Sequence, residues 1–213
     1  MVSKMKIAID INDVIRDYTN QFIKCYSKIV DPNFEIKAED ITDFDFFNVF
    51  PFKDENGNKD KELYFKFKYE DAAFDLYGRA DVTERRVPSE MTLWLQNTLR
   101  NFEEEQIPEV MLVSPFEMNL SIQSTLSFLA RIGNRVREIY FPIDSSTIWD
   151  KCDLLITANP NLINSVPDGK TVFKINTQYN KEAKAKFCYD NIIDVIHDKD
   201  NNLQNLIEGN EGV

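Results

Sequence analysis

The apolar positions of the chain follow two spacings that alternate along the sequence. Short apolar runs without a helical period predict buried strands of a parallel sheet. Apolar residues three or four positions apart predict amphipathic helices between those runs. The predicted strands are the run from Lys6 to Asp10 and the segments 110–113, 136–141, 152–156 and 171–175. Strands that alternate with helices favour an α/β fold with helices on both faces of the sheet.

The helical spacings place helices between the predicted strands. One helix begins at Val14 and ends near Asp31. A second covers 89–105 and has a proline at its start, and a third ends at Gly133, a residue type favoured just after a helix. A closing helical segment is predicted from the spacing of Ile192, Ile193, Ile196, Leu203 and Leu206.

Between residues 34 and 86 the alternation stops and aromatic residues become dense. They are interleaved with acidic residues and lysines, which predicts a small insertion whose rings pack on one another and over the main domain. These aromatics are Phe44, Phe46, Phe47, Phe50, Phe52, Tyr64, Phe65, Phe67, Tyr69, Phe74 and Tyr77. Segment 54–60 has the composition of a calcium loop, but its glycine is misplaced and no bidentate Glu follows, so it is interpreted as a solvated loop.

Composition and charge narrow the classes of function. A chain of 213 residues suits one domain, or one domain with an insertion, and 43% hydrophobic residues are enough for a core. The net charge of −11 argues against nucleic-acid binding, although Arg79, Arg85 and Arg86 lie close together. Neither a secretory signal nor an apolar run long enough to cross a bilayer is found, so a soluble cytoplasmic protein is expected.

The cysteines and the single histidine offer little chemistry. Cys25, Cys152 and Cys188 are far apart and lack metal-ligand spacing, which predicts buried free thiols in a reducing compartment. Cys25 and Cys188 lie in helical patterns, and Cys152 opens a predicted strand. His197 lies in the closing helical segment and is expected to be solvated or to cap a helix. His-based triads and most zinc sites are therefore excluded.

The first predicted strand ends in an acidic residue, Asp10. Open α/β sheets bind ligands at the carboxyl ends of their strands. Asp10 is therefore interpreted as a nucleophile or metal ligand, or as the remnant of one. Asp13, three residues further on, is expected to cap the helix that follows.

The segment Asp10-Ile-Asn-Asp-Val14 resembles the first motif of the haloacid dehalogenase (HAD) superfamily, and most of all the Asp-Met-Asp-Gly-Val strand of 5'(3')-deoxyribonucleotidases. Ser114-Pro115 is similar to their Thr-Ser-Pro, and 152–156 is similar to the strand before their acidic pair. The resemblance implies an α/β, HAD-like Rossmannoid three-layer sandwich with a parallel five-stranded sheet. It also implies a core domain of residues 1–33 and 87–213 and a small cap at 34–86.

The resemblance implies a reaction and a role for each motif residue. In that family the first Asp attacks phosphorus to form an aspartyl-phosphate, and a second Asp serves as acid and base. The corresponding positions here are Asp10 and Asn12. Ser114 is implied to bind phosphate, and Asp10 and the Asn12 backbone carbonyl are implied to contact Mg²⁺ with an acidic pair after the fourth strand.

Several positions depart from the family pattern. The Asn12 amide cannot exchange a proton at neutral pH. Thr157 and Ala158 stand where the acidic pair is expected. The family lysine that holds the phosphoryl oxygens has no obvious match, because the nearest candidate, Lys151, lies at the amino end of its strand, about 16 Å from the edge that binds ligands. When the two Ser-Pro pairs are aligned, Val113 takes the place of the family threonine.

Two functions stay open at this stage. In the first, the chain is a catalytically degenerate pseudo-phosphatase that serves as an interaction or assembly subunit, or binds a phosphorylated small molecule. This hypothesis expects no cofactor and a protein partner or homo-oligomer, in the cytoplasm of a bacterium or in a phage particle. In the second, the chain is a Mg²⁺-dependent, 5'-nucleotidase-like phosphomonoesterase that uses an aspartyl-phosphate. Neither hypothesis expects a nucleic-acid or membrane partner.

Overall fold

The computed structural model describes residues 4–104 and 106–209 of the chain. Within them the central sheet has six strands, all parallel, in the order β3-β2-β1-β4-β5-β6. The strands are β1 (Lys6–Asp10), β2 (Glu109–Val113), β3 (Glu138–Tyr140), β4 (Leu154–Thr157), β5 (Thr171–Ile175) and β6 (Phe187–Tyr189). Because β1 is central, its carboxyl end is flanked by the ends of β2 and β4.

The sheet has one strand more than the five that the sequence predicts. β6 is three residues long and pairs with β5 at the edge of the sheet. Its Cys188 is exposed, so the prediction of a buried cysteine in a helix is wrong at this position. A three-residue strand has too few positions for an alternating pattern to be recognised.

Two other predicted strands differ in their ends. The segment predicted at 136–141 is ordered as a strand only over β3, and β4 begins two residues after Cys152. Cys152 therefore precedes its strand, and its thiol contacts the Ile148 carbonyl oxygen at 3.4 Å. Such shifts are the usual error of reading strand ends from apolar residues alone.

Eight α-helices lie between or after the strands of the described residues. They are α1 (Tyr18–Ile29), α2 (Phe46–Val49), α3 (Lys61–Lys66), α4 (Val87–Asn101), α5 (Leu120–Arg131), α6 (Pro160–Asn164), α7 (Ile192–Ile196) and α8 (Asn202–Ile207). Short 3₁₀ helices occur at Ala38–Asp40, Ser145–Ile148 and Gln178–Asn180. α1 begins later than predicted because the backbone turns at Asp13, where φ is 55°. Glu105, the predicted end of the second helix, lies outside the described residues.

Alternate residues of β1 face opposite sides of the sheet. Ile7 and Ile9 belong to one hydrophobic cluster, and Ala8 belongs to another. All three are almost fully buried, so both faces of the sheet are covered. This burial on both faces explains why β1 is a continuous apolar run, and it gives the molecule three layers.

The aromatic residues of segment 34–86 pack on one another and on the aromatic face of helix α1. Apart from α2 and α3 this segment contains two π-helical turns, Phe67–Asp71 and Phe74–Gly78. Phe22 of α1 lies against Phe46 and Phe50, with ring centroids 4.9 and 4.7 Å apart. These rings belong to the same hydrophobic cluster as Ile7 and Ile9. The aromatics therefore pack on one another and on the main domain as predicted, while the division into two domains stays a prediction.

The remaining side chains of interest lie away from the sheet edge that holds Asp10. Cys25 and Cys152 are free and buried, as expected. His197 follows the last residue of α7, and its Nε2 lies 2.8 Å from Glu90 Oε2. Residues 54–60 form an exposed turn around Gly57. In the described parts of the chain, no helix has the length and apolar character needed to cross a bilayer.

Candidate functional site

A cavity of about 360 Å³ opens at the carboxyl edge of the sheet, beside the end of β1. Asp10, Asn12 and Asp13 line one wall, and Asn159 from the loop after β4 lies with them. Aromatic rings of segment 34–86 form the facing wall, together with the lysines Lys61 and Lys68. The structure thus brings together the two catalytic positions that the sequence proposed, Asp10 and Asn12.

The Asp10 carboxylate is buried and hydrogen-bonded on both oxygens. The Asn12 backbone N–H donates to Oδ1 at 3.3 Å, and the Thr157 hydroxyl donates to Oδ2 at 2.8 Å. Thr157 reaches Asp10 because β1 and β4 pair with Ile9 opposite Ile156. Burial raises the pKa of the Asp10 carboxyl to about 7, and the two hydrogen bonds only partly oppose this rise.

The Asn12 side chain is held by an arginine that the sequence analysis did not single out. Arg16 donates to Asn12 Oδ1 from Nε at 2.9 Å and from Nη2 at 2.5 Å. Asn12 Nδ2 donates in turn to Ser114 Oγ at 3.4 Å. Both ends of the amide are thus occupied within the protein, and its orientation is fixed.

Arg16 is the centre of a buried polar network beneath the cavity. Its guanidinium is fully buried, and Nη2 lies 2.6 Å from Glu117 Oε1. Nη1 donates to Thr125 Oγ1 at 2.6 Å and to the Tyr77 carbonyl at 3.0 Å, and Thr125 donates to Glu117 Oε2 at 2.6 Å. The network therefore joins the turn after β1, the loop after β2, helix α5 and segment 34–86.

The sequence contains only indirect evidence for this network. Arg16 and Glu117 are 101 positions apart, so no local spacing links them. The one available indication is Arg16 itself, which is a charged residue directly after the apolar pair Val14-Ile15. Because arginine side chains are usually exposed in folded proteins, the residue type alone predicts that Arg16 is solvated.

Ser114 lies in the network and not in the wall of the cavity. It is fully buried, and its hydroxyl donates to Glu117 Oε1. The residues that follow it, Pro115 and Phe116, line the cavity instead. Phosphate binding by Ser114 stays a prediction, and it requires the hydroxyl to leave its carboxylate partner.

The sequence predicts that Asp13 caps the following helix; the N-cap of α1 is Asp17, and Asp13 bonds to the first turn of that helix. Asp13 Oδ1 accepts from the Thr19 backbone N–H at 2.9 Å. Its Oδ2 accepts from the Thr19 hydroxyl at 2.7 Å and from the Tyr179 hydroxyl at 2.8 Å. Burial raises the pKa of the Asp13 carboxyl, and these three hydrogen bonds lower it. Both oxygens are thus already used.

The residues around Asp10 do not fit a divalent cation. Mg²⁺ requires near-octahedral oxygen ligands, usually with more than one negative charge. Thr157 donates its hydroxyl to Asp10 and accepts from the Asn159 N–H. The Ala158 side chain carries no ligand atom, and its carbonyl oxygen accepts from Asn180 Nδ2 at 2.8 Å. Throughout residues 4–104 and 106–209, no three His, Cys, Asp or Glu side chains are grouped to hold a metal ion.

Of the two lysines considered for the cavity, Lys151 and Lys68, only Lys68 lines it. Lys151 does not line the cavity, and its Nζ lies over the Tyr140 ring at 4.9 Å from the centroid. Lys68, which was not singled out from the sequence, does line the cavity. Burial lowers the pKa of the Lys68 ammonium to about 8, while the charges of Glu117 and Asp45 raise it. The alternation of lysines with aromatics in segment 34–86 was the one sequence feature that pointed to it.

Comparison with known proteins identifies the fold. No family model and no curated protein sequence matches the chain. A haloacid dehalogenase-like hydrolase of Burkholderia xenovorans LB400 matches with TM-score 0.57 and 8% identity, over 93% of this chain and 97% of that chain. The HAD-hydrolase YfnB of Bacillus subtilis, bound to magnesium, matches with TM-score 0.54 and 9% identity, over 92% of this chain and 98% of that chain. A dehalogenase matches with TM-score 0.50 and 11% identity, over 92% and 96%.

At these identities the likeness establishes the fold alone. The chain has an α/β fold similar to that of these proteins, as the motif resemblance implied, with six parallel strands in place of five. The closer likeness to 5'(3')-deoxyribonucleotidases stays a prediction.

Proposed function

We propose that this chain is a catalytically degenerate protein of HAD-like fold whose cavity binds a phosphorylated small molecule without hydrolysing it. Asp10 occupies the nucleophile position at the carboxyl end of β1, and the cavity beside it falls within the usual size range of small-molecule sites, about 300–1,000 Å³. In this proposal the protein retains a cavity that binds the ligand but does not catalyse hydrolysis.

The observation that carries the proposal is the bonding of Asn12 to Arg16. General acid–base catalysis needs a group that exchanges protons and reaches the substrate. The Asn12 amide does not exchange a proton near neutral pH, and its oxygen accepts two hydrogen bonds from a buried guanidinium. Loss of such a group costs about 10²–10⁴ in rate.

The charge balance around Asp10 supports the same conclusion. A phosphoryl group carries negative charge that a metal ion or a cation must stabilise during transfer. The hydrogen-bond partners of Asp10 are an uncharged hydroxyl and a backbone N–H, the charges of Asp13 and Arg16 act on it in opposite directions, and burial favours its neutral form. A neutral carboxylic acid is a poor nucleophile toward phosphorus.

We expect no Asp10-dependent phosphatase activity. The test is an assay with Mg²⁺ on a panel of 5'-mononucleotides and on p-nitrophenyl phosphate, comparing the native chain with the Asp10→Asn variant. The proposal predicts equal, background rates for the two proteins. Turnover by the native chain that disappears in Asp10→Asn would contradict it.

The second candidate is a Mg²⁺-dependent, nucleotidase-like phosphomonoesterase. It is favoured by one observation, the position of Asp10 in the cavity wall at the end of the central strand. This candidate needs an acid other than Asn12, and it needs metal ligands beyond Asp10. The assay with Asp10→Asn separates the two candidates directly.

A protein partner or homo-oligomer remains part of the first proposal. Three exposed apolar side chains, Phe65, Phe116 and Met118, lie in the walls of the cavity and of an adjoining groove. Clusters of exposed aromatic residues are typical of interfaces.

A further inference from the structure

Lys68 is a cation without an anionic partner in hydrogen-bonding contact. Among the described residues its ammonium makes no hydrogen bond and no ion pair within 4.0 Å, and Glu117 and Asp45 act on it only from a greater distance. Its contacts are two aromatic faces, with Nζ 5.0 Å from the Tyr69 ring centroid and 5.9 Å from that of Tyr64. A half-buried ammonium thus faces the cavity with its three N–H donors unused.

Asn159 is a second unused donor in the same cavity. The residue is 97% buried, and its Oδ1 accepts from the Asn161 N–H at 3.0 Å at the start of α6. This bond determines which end of the amide is oxygen. Nδ2 is buried and has no hydrogen-bond partner in the described residues. A buried amide N–H₂ without an acceptor costs free energy that a ligand acceptor can recover.

The two unused groups select one kind of ligand. Both are donors, and one is positively charged, so they fit a group that is negatively charged and rich in acceptors. They do not fit a metal ion, which needs oxygen ligands. The cavity that both residues line accepts more than a bare ion, since it measures about 360 Å³.

We propose that Lys68 and Asn159 form a metal-independent binding site for a phosphate monoester, in which the ammonium of segment 34–86 balances the charge of the phosphate. This inference rests on the proposed function, because it assigns the ligand-binding residues of the same cavity. The organic part of the ester lies against the rings that surround Lys68. Neither Lys68 nor Asn159 belongs to the motifs that the sequence pointed to.

Three carboxylates of the described chain line the cavity, and each already accepts hydrogen bonds within the protein; Asp45 Oδ1 accepts from the Phe47 backbone N–H at 3.1 Å. Both oxygens of Asp13 accept hydrogen bonds from Thr19 and Tyr179. Both oxygens of Asp10 likewise accept hydrogen bonds, from the Asn12 backbone N–H and the Thr157 hydroxyl. An arriving anion therefore meets carboxylate oxygens that are already bonded within the protein.

The test is calorimetric titration of the intact chain with phenyl phosphate and with inorganic phosphate, once in EDTA and once with excess Mg²⁺. Lys68→Met removes the charge, and Lys68→Arg keeps it. Asn159→Asp keeps the oxygen that caps α6 but replaces the donor by an acceptor. Lys66→Met is the matched control, because Lys66 lies two positions before Lys68 at the end of α3, its Nζ is 3.9 Å from Asp71 Oδ2, and it does not line this cavity.

We expect binding of phenyl phosphate in EDTA, weakened about tenfold or more by Lys68→Met and by Asn159→Asp. Lys68→Arg is expected to retain most of the affinity, and Lys66→Met all of it. Binding that requires Mg²⁺, or that is unchanged in Lys68→Met, overturns the assignment of these residues and leaves the proposed ligand-binding function standing. Absence of binding to both probes by the native chain overturns that function as well.

Discussion

Replacing Arg16 with methionine is expected to lower the free energy of unfolding by about 3–5 kcal/mol. The substitution keeps most of the side-chain volume but leaves the Glu117 carboxylate buried without its cation. It also removes the donors to Asn12 Oδ1 and to the Tyr77 carbonyl. Breaking a buried pair on one side is far more costly than its net contribution, because the remaining charge is uncompensated. Urea denaturation followed by circular dichroism measures the change.

Two further variants distinguish the destabilisation caused by the unpaired Glu117 charge from that caused by the loss of any arginine. Arg79→Met removes an exposed ion pair, between Nη1 and Asp75 Oδ1 at 3.1 Å, and is expected to cost at most about 1 kcal/mol. Adding Glu117→Gln to Arg16→Met removes the orphaned charge and is expected to restore part of the lost stability. Equal effects of Arg16→Met and Arg79→Met would show that the network does not stabilise the fold as described.

Replacing Asp10 with asparagine is expected to stabilise the protein above neutral pH, by up to about 4 kcal/mol. The native carboxyl has its pKa raised from 3.8 to about 7, chiefly by burial. Between those pH values the folded state holds a proton that the unfolded state has lost, so the free energy of unfolding falls as pH rises. The asparagine does not titrate, so the gain appears across this range, is complete above about pH 7, and vanishes near pH 4. Thermal unfolding of both proteins as a function of pH measures it.

Asp75→Asn is the control of opposite sign. The hydrogen bond from Lys28 Nζ at 2.8 Å, together with Arg79, lowers the pKa of the Asp75 carboxyl. Its contribution to stability is therefore present above its unfolded pKa and lost as pH falls, and Asp75→Asn is expected to destabilise at neutral pH. If Asp10→Asn also destabilises at neutral pH, Asp10 holds its charge in a favourable environment and the account of its burial is wrong.

Much of the fold was predictable because its strands are buried on both faces. Continuous apolar runs such as that of β1 have few other interpretations, and the position of Asp10 after that run pointed to the sheet edge at which the cavity opens. β6 was missed because a short edge strand has a weak pattern. The start of α1 was misplaced because a positive φ at Asp13, unusual for a residue with a side chain, interrupts the helical spacing.

The candidate site was predictable only as far as local sequence determines it. Asp10 and Asn12 follow directly from the end of β1. Arg16 pairs with Glu117 across a sequence separation of 101 residues, and Lys68 reaches the cavity from the inserted segment. Those contacts depend on tertiary packing, which no local spacing encodes. The aromatic residues near Lys68 in the sequence predicted a packed segment, but they did not predict that Lys68 lines the cavity.

Among the described residues, the Asp10 cavity lacks the ligands for a divalent ion. Calorimetric titration of the native chain with Mg²⁺ at about pH 8, where Asp10 is mostly ionised, tests it most directly. Asn12→Asp combined with Thr157→Asp serves as the positive control, because it places two further carboxylates beside Asp10 and is expected to bind Mg²⁺ in the folded state. The account predicts no saturable binding by the native chain up to about 10 mM Mg²⁺. Saturable binding that Asp10→Asn abolishes would contradict it.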